Sequence, residues 1–336
     1  MAPATTRGSS PRPARPSVLP TVGVDIGGTT TSVAFVGARG EVLASERRAT
    51  RPERGAEVVI EEIASVIRDL AEAREMVPAA IGVGAAAQVD REGNVVAAPN
   101  LGWSAVPLAR QLGRATRRPV VVTNDVRAAT YGEWRFGAGR GARDLLCVFV
   151  GTGVGGGIVA DGRIRFGATE TAGEIGHMPI VHGGRRCRCP GRGCLEAYVG
   201  GWAIGARAQE AARDEPRRAA ELLRVAGRRS RISARTVSLA AGRKDPLAGE
   251  ILAETVGYLT TGLVGLVNVV NPRIVILGGG VVEGIPGLLP RLRAGVGRSA
   301  LAAATEGLTL LRARLGGDAG MIGAAALARE GVPWRS

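Results

Sequence analysis

From Thr21 onward the chain is built from short runs of apolar, largely β-branched residues broken by glycine, a pattern that predicts buried strands joined by tight turns. Thr21-Val-Gly-Val-Asp-Ile26 reads as a buried strand, Gly27-Gly28-Thr29-Thr30 as a turn, and residues 31–36 as the returning strand. Ala38-Arg39-Gly40 marks a second turn, and a third strand starts at Glu41. Over residues 54–75 the spacing becomes helical, with Val58, Val59, Ile63, Val66, Ile67 and Leu70 on one side and Pro78 beyond as a stop. Residues 80–83 and 119–123 read as further buried strands, and Asp125 begins another helix.

The second half repeats the theme. Residues 145–150, the glycine cluster 151–157 and residues 158–160 predict another strand–turn–strand. A helix-rich stretch over 196–270, interrupted at Gly242 and Pro246, leads to a strand at 273–277 that runs into Gly278-Gly279-Gly280. A last helix begins near Asp318 and runs to about Arg329. Hairpins alternating with helices predict α/β layers with mixed sheets. The glycine hairpins at Gly27 and Gly153 lie 126 residues apart and point to two related lobes.

Composition bounds this picture. A chain of 336 residues has room for about two domains, and 45% hydrophobic with 22% charged residues is a globular profile. No window is an uninterrupted apolar run of the roughly 18–20 residues that a membrane span needs, and no membrane partner is expected. The 51 glycines are about twice the usual share, which signals many tight turns or close backbone approaches. The net charge of +14 invites a nucleic-acid reading, but Lys244 is the sole lysine and the arginines are scattered without a sustained basic block. No specific nucleic-acid partner is therefore expected. Residues 1–20 hold Arg7, Arg12, Arg15 and five prolines but no apolar h-region, so they read as a disordered N-terminal arm of a cytoplasmic protein. Three of the four cysteines, Cys187, Cys189 and Cys194, are too local for a disulfide framework and favour a metal in a reducing compartment. Cys147, inside a predicted strand, reads as core.

Candidate chemistry sits on the glycine turns. In Asp25-Ile-Gly27-Gly28-Thr29-Thr30 the bare backbone can approach an anion, with amides and hydroxyls as donors to phosphate oxygens, and Asp25 is able to hold a hydrated Mg²⁺. The alternative is an ordinary tight hairpin. Gly151-Thr152-Gly153-Val154-Gly155 followed by Gly156-Gly157 is a second such hairpin, and Gly278–Gly279–Gly280 a third glycine bend. None matches a Walker loop or a Gly-x-Gly-x-x-Gly that opens a helix after a first strand. Asn124-Asp125, after a buried strand, is either a rigidly held polar pair or the cap of the next helix.

In their order along the chain these segments make the sequence recognisable. Asp25-Ile-Gly-Gly-Thr29, Ala98-Pro-Asn-Leu101 with Trp103, and Thr123-Asn-Asp-Val126 with Ala128-Ala129 come first. Gly151-Thr-Gly-Val-Gly-Gly156, Ala172-Gly-Glu-Ile-Gly-His177, Cys187-Arg-Cys189 with Gly193-Cys-Leu-Glu196, and Leu277-Gly-Gly-Gly280 follow. The chain resembles the ROK family of sugar kinases in the actin-like ATPase superfamily, most closely the ATP-dependent glucokinase branch.

The resemblance implies an α/β, two-lobed actin-like ATPase (ribonuclease H-like) fold, its mixed sheets flanked by helices and its active site in the interlobe cleft. The small lobe would span 21–126, completed by a C-terminal helix over 318–331. The large lobe would span 127–317 with a zinc-binding segment at 177–194. By position, Asp125 matches the general base, while Asn100, Asn124, Glu174, His177 and Glu196, together with Asp125, match the residues that hold the sugar. Asp25 and the two glycine hairpins match the Mg²⁺ and phosphate site, and Gly278–Gly280 lie where the family holds adenosine. His177 with Cys187, Cys189 and Cys194 offers one imidazole and three thiolates, a closed tetrahedral set suited to structural Zn²⁺, with His182 as competing fourth ligand and a disulfide or reactive thiol as the other readings.

The expected reaction is ATP-dependent phosphorylation of a hexose, glucose foremost, at the 6-hydroxyl, by a homo-oligomer (dimer or tetramer). Three features depart from the family. Ala85-Ala-Ala-Gln88 replaces a segment that usually contains Pro-Gly, which keeps other hexoses or amino sugars (N-acetylhexosamine, mannose, fructose, kanosamine-like) as alternatives. Thr30 and Pro190 stand where Lys and Gly are usual. A sugar-responsive transcriptional regulator is a further alternative, disfavoured because only 24 residues precede Asp25, too few for a winged helix.

Overall fold

The structure, a computed structural model, describes residues 19–331, so nearly all of the arm expected at 1–20 lies outside the described residues. The first half contributes β1 (Thr21–Ile26), β2 (Thr30–Val36), β3 (Val42–Ala49), β4 (Ile81–Ala85), β5 (Gln88–Val89), β6 (Val95–Ala98), β7 (Trp103–Val106) and β8 (Val120–Asn124). The second contributes β9 (Leu145–Val150), β10 (Val154–Ala160), β11 (Arg163–Ile164), β12 (Ile274–Gly278) and β13 (Thr309–Arg312). Two five-stranded sheets result, β3-β2-β1-β4-β8 and β11-β10-β9-β12-β13, with a separate small sheet β5-β6-β7.

The two large sheets trace one path twice. In each, an opening hairpin pairs antiparallel, and two later strands add in parallel to the first strand of that hairpin. Parallel strands need crossover helices, and the helix Ala56–Ala73 supplies the first, its buried face formed by Val59, Ile60, Ile63, Val66 and Ile67. The expected strands and helices appear, and the glycine hairpins end corresponding strands of the two sheets.

Glycine explains how the helices sit so close. Gly23 and Gly82 are register partners on β1 and β4. A Cβ on either would run into the carbonyl oxygen of Met321 or Ala324 in the helix Ala319–Glu330. That helix is buried on nearly every side. It also lies against the helix Asp125–Arg135, where a Cβ on Gly323 would collide with the Ala128 carbonyl oxygen. The C-terminal helix thus covers the first sheet.

The chain passes between the sheets at residues 136–144 and 313–318, and a single fully buried carboxylate touches both passages. Glu133 accepts hydrogen bonds from the Ala138 amide at 2.8 Å, the Arg314 amide at 2.8 Å and the Leu315 amide at 2.7 Å. Those three donors satisfy a charge that burial would otherwise penalise heavily.

Some readings of the sequence change. The glycine cluster 151–157 is a turn only at 151–153, and its last three glycines lie in β10. They are bare because Val126, Ile175 and Thr130 pack directly on them, where a Cβ would clash. The small sheet and β13 were not anticipated, since two- to four-residue edge strands carry too few alternations to read. Among the described residues one helix, Pro246–Val270, is long and apolar enough to cross a membrane by length and composition. Leu252, Val256, Leu259, Leu263 and Leu266 bury one face of it in the core of the second half.

Candidate active site

The carboxyl ends of the parallel strands gather the polar residues. Asp25 near the end of β1 lies level with Gly84 of β4 and Thr123 of β8, and Asn124 and Asp125 follow at the end of β8. Open α/β sheets bind ligands beyond such strand ends.

Asn124 is the N-cap of the helix Asp125–Arg135. Its Oδ1 accepts from the Val126 amide at 3.0 Å and the Arg127 amide at 3.1 Å, and its Nδ2 donates to the Ala87 carbonyl at 3.4 Å. Capping is therefore the work of Asn124. Asp125, the first helical residue, accepts the Val126 amide at 2.9 Å. Burial pushes the Asp125 carboxyl above the ordinary Asp range, the Val126 amide opposes that shift, and the charge of Glu174 adds to it. Asp25 is pushed up to about 7, first by burial and then by Asp125, with Arg47 opposing. A Cβ on Gly320 would press on the Asp25 carboxylate, so Asp25 sits at the start of the C-terminal helix. Arg47 shares the sheet row of Asp25 through Ser32, and its Nη2 is 2.7 Å from Asp318 Oδ1.

The first glycine turn closes with the Gly27 amide on the Thr30 carbonyl at 3.0 Å, and Thr50 Oγ1 donates to the Gly27 carbonyl at 2.7 Å. Thr29 and Thr30 are exposed at its tip. Gly28 lacks a side chain because Asn100 lies against it: a Cβ there would meet Asn100 at 3.1–3.2 Å. Asn100 also borders an open cavity of about 580 Å³, lined in part by Glu53, Gly55, Leu101 and Trp103.

The second glycine turn is held from behind. Glu196, only 9% exposed, accepts the Val154 amide at 2.8 Å on Oε2 and the Trp202 indole N–H at 3.1 Å on Oε1. Gly151 and Thr152 give their carbonyls to the Gly201 and Trp202 amides. Val154 thus has its amide engaged and Gly155 lies under Val126, which leaves Gly151, Thr152 and Gly153 as the turn itself. Gly278 ends β12 against Phe149, and Gly279, at φ 94°, turns the chain into the short helix Gly280–Gly284. Only glycine adopts that conformation without strain.

Glu174 and His177 are half-exposed, with His177 Nε2 4.0 Å from Glu174 Oε2. One ligand atom from each of His177, Cys187, Cys189 and Cys194 lies within 4.8 Å of the others. Cys187 Sγ is 3.7 Å from His177 Nδ1, and Cys189 Sγ is 3.7 Å from Cys194 Sγ. Two thiolates bound tetrahedrally at about 2.3 Å stand roughly 3.8 Å apart, so the cluster has the dimensions of a zinc site. His182 is outside it, and all the cysteines are unpaired. Cys147 is fully buried and its thiol is pushed up by that burial, in keeping with core. Arg185, two residues before Cys187, donates its amide to Tyr198 Oη at 2.9 Å and pairs through Nη2 with Glu210.

Sequence reasoning missed Arg127 and Glu170, which lie beside Asp125 and Glu174. The available signal was a charged residue within the first turn of a helix whose neighbours Ala128, Thr130 and Tyr131 are buried.

With this geometry in view, comparison with known proteins gives one answer. The profile of the ROK family matches residues 21–331. A glucokinase of Streptomyces coelicolor is 35% identical over 318 residues, covering 93% of this chain and 98% of that protein. An N-acetylmannosamine kinase of Escherichia coli O157:H7 is 29% identical, covering 93% and 99% respectively. A crystal structure of a ROK family glucokinase from Streptomyces griseus, in complex with glucose and AMPPNP, superposes with a TM-score of 0.81 at 36% identity over 93% of this chain and 100% of that one. The chain belongs to the ROK family, and its mixed α/β architecture is the actin-like ATPase fold of that family's sugar kinases.

Proposed function

We propose that this protein is a cytoplasmic, ATP-dependent hexose kinase that phosphorylates glucose at the 6-hydroxyl, with Asp125 as general base. The observation that carries the reading is the division of labour at the end of β8: Asn124 caps the helix, so the carboxylate of Asp125 is available for chemistry. The similarity to a glucokinase crystallised with glucose and AMPPNP supports the substrate pair.

A sugar hydroxyl is a poor nucleophile at neutral pH. Asp125 orients it and accepts its proton as the oxygen attacks the γ-phosphorus, and the bond to ADP breaks on the far side. Asn100, Glu174, His177 and Glu196 hold the remaining hydroxyls. The Glu196 carboxylate also fixes the Val154 amide, so sugar contact and the second glycine turn share one residue. Asn124 offers the sugar its Nδ2, since Oδ1 is given to the helix. The turns at Gly27–Thr30 and Gly151–Gly153, with Val154 and Gly155 behind the second, cradle the phosphates, and Gly278–Gly280 border the adenosine. The charge of Asp125 adds to the burial that pushes Asp25 up, and Asp25 with water is a fitting Mg²⁺ holder. Mg²⁺ there would neutralise charge developing between the phosphates.

The decisive experiment is ADP release over a panel of hexoses and amino sugars. Glucose is expected to give the highest kcat/KM. A preference for an N-acetylhexosamine would move the assignment to the second reading, which the similarity to an N-acetylmannosamine kinase and the Ala85-Ala-Ala-Gln88 segment support. No turnover with any sugar would overturn both.

His177, Cys187, Cys189 and Cys194 would hold one structural zinc, leaving no open position for chemistry. Elemental analysis of protein purified without added metal is expected to find about one zinc per chain. Cys189→Ser is expected to release it, lower the melting temperature and raise the sugar KM, because His177 would be freed from its anchor. A metal-free protein with full activity and stability would remove zinc from this account.

A further inference from the structure

The loop that leads to Glu174 is wrapped around one guanidinium. Arg127, whose side chain is 4% exposed, donates Nη2 to the Glu170 carbonyl at 2.6 Å and the Ala172 carbonyl at 3.5 Å. Its Nη1 donates to Thr123 Oγ1 at 3.2 Å, and the guanidinium stands 4.7 Å over the Phe166 ring. The Glu170 carboxylate, 7% exposed, lies 3.7 Å from Arg127 Nη1 and 3.5 Å from Arg91 Nε. Arg91 comes from the β5–β6 turn and also donates Nη2 to the Ala168 carbonyl at 3.2 Å. Glu170 itself is held at φ 61°, a conformation that a non-glycine residue keeps only where its surroundings enforce it.

Fold stability gives no reason for this arrangement. A buried ion pair is commonly no better for stability than apolar side chains of the same volume. Its placement gives the reason. Arg127 is two residues from Asp125, Glu170 four residues from Glu174, and Arg91 and Asn100 lie in the turns at the two ends of β6 in the small sheet. Three distant parts of the chain that bear candidate sugar-site residues are thus joined by one unbroken series of charged contacts.

We propose that Arg91, Glu170 and Arg127 form a latch that fixes the small sheet bearing Asn100 and the loop bearing Glu174 at the separation a hexose requires, which makes them positioning residues for the sugar. This rests on the assignment of Asn100 and Glu174 to the sugar site. Placement to within about an ångström governs binding and turnover in such sites, and a charge pair near the surface supplies the restraint in a form that salt can weaken.

Arg91→Ala is the variant of choice, because a side chain 61% exposed is removed without disturbing the core. Sugar KM, and sugar Kd by calorimetry, are expected to rise roughly 3- to 10-fold, with ATP KM and melting temperature unchanged. Arg91→Lys should recover part of the loss by restoring the charge beside Glu170. Glu170→Gln should weaken the sugar in the same way, and Arg91→Ala with Glu170→Gln should be no worse than Glu170→Gln alone, as for two members of one contact. Added salt should raise the sugar KM of the wild type and leave that of Arg91→Ala nearly flat. Asp161→Asn, which breaks an exposed pair with Arg165 next to the same loop, should behave as the wild type. Sugar Kd within twofold of wild type in both Arg91→Ala and Glu170→Gln, or additive losses in the double variant, would overturn the latch. A wild type that neither binds nor phosphorylates any hexose would instead overturn the kinase reading and the latch with it.

Discussion

Asp125→Asn is expected to lower kcat by at least about 10²-fold, the lower end for loss of a positioned base, while the protein stays folded. The amide is close in shape to the carboxylate and cannot accept the hydroxyl proton. Helix capping is unaffected, since Asn124 supplies it. The stability effect has a definite sign. Burial raises the Asp125 carboxyl above its unfolded value, so the folded state prefers the protonated form and ionisation above that value weakens folding. Removing the charge should therefore leave the melting temperature at pH 7 equal to or above that of the wild type, where loss of a cap would lower stability by about 1 kcal/mol. The pH profile offers a second check. Wild-type kcat should fall on the acid side as Asp125 takes up its proton, with a midpoint above the ordinary Asp value of about 3.9. Sugar and ATP KM should change much less than kcat. Near-normal turnover by Asp125→Asn, with this acid limb intact, would take Asp125 out of the mechanism.

Gly323→Ala is expected to destabilise the protein by about 3 kcal/mol or more, beyond the usual range for adding one methyl group to a packed core. The added carbon would sit inside the Ala128 carbonyl oxygen and 2.6 Å from the Gly132 nitrogen, both backbone atoms that cannot swing aside. The two helices would have to separate, and one of them starts at Asp125. The same change at Gly265, in the helix Pro246–Val270 with open space around its Cβ position, is expected to stabilise by about 0.5–1 kcal/mol through helix propensity. Urea denaturation of the two variants measures both. Equal effects would show that crowding between the helices does not govern this packing.

The fold was legible wherever one periodicity ran long enough. The strand at 21–26 and the helix begun by Ala56 are examples, because a fully buried run and a one-sided stripe each leave a clear pattern. The ordered set of glycine turns and polar motifs identified the family even though no single segment is diagnostic. The small sheet at Gln88–Val106 was invisible, since its two- and four-residue strands are set by pairing rather than by local pattern. Of the candidate site, Asp25, Asp125 and the cluster of His177, Cys187, Cys189 and Cys194 stood out in the sequence because their types are chemically unusual after a strand or at close spacing. The contact of Arg127 with Glu170 did not. Among so many arginines a place in the first turn of a helix is a weak mark, and nothing local names a partner 43 residues away.

The bare faces of Gly23, Gly82 and Gly323 have a consequence for what holds the last helix down. In each case a carbonyl oxygen, of Met321, Ala324 or Ala128, occupies the place where a side chain would begin, and the glycine therefore directs a Cα–H at that oxygen. Such carbon-to-oxygen hydrogen bonds are weak, on the order of 0.5–1 kcal/mol apiece, but they recur here along one seam. Cohesion between the C-terminal helix, the sheet that bears Asp25 and the helix that bears Asp125 is thus carried partly by backbone meeting backbone. Polarised carbonyls, as well as interlocking hydrocarbon, grip the platform from which both carboxylates project.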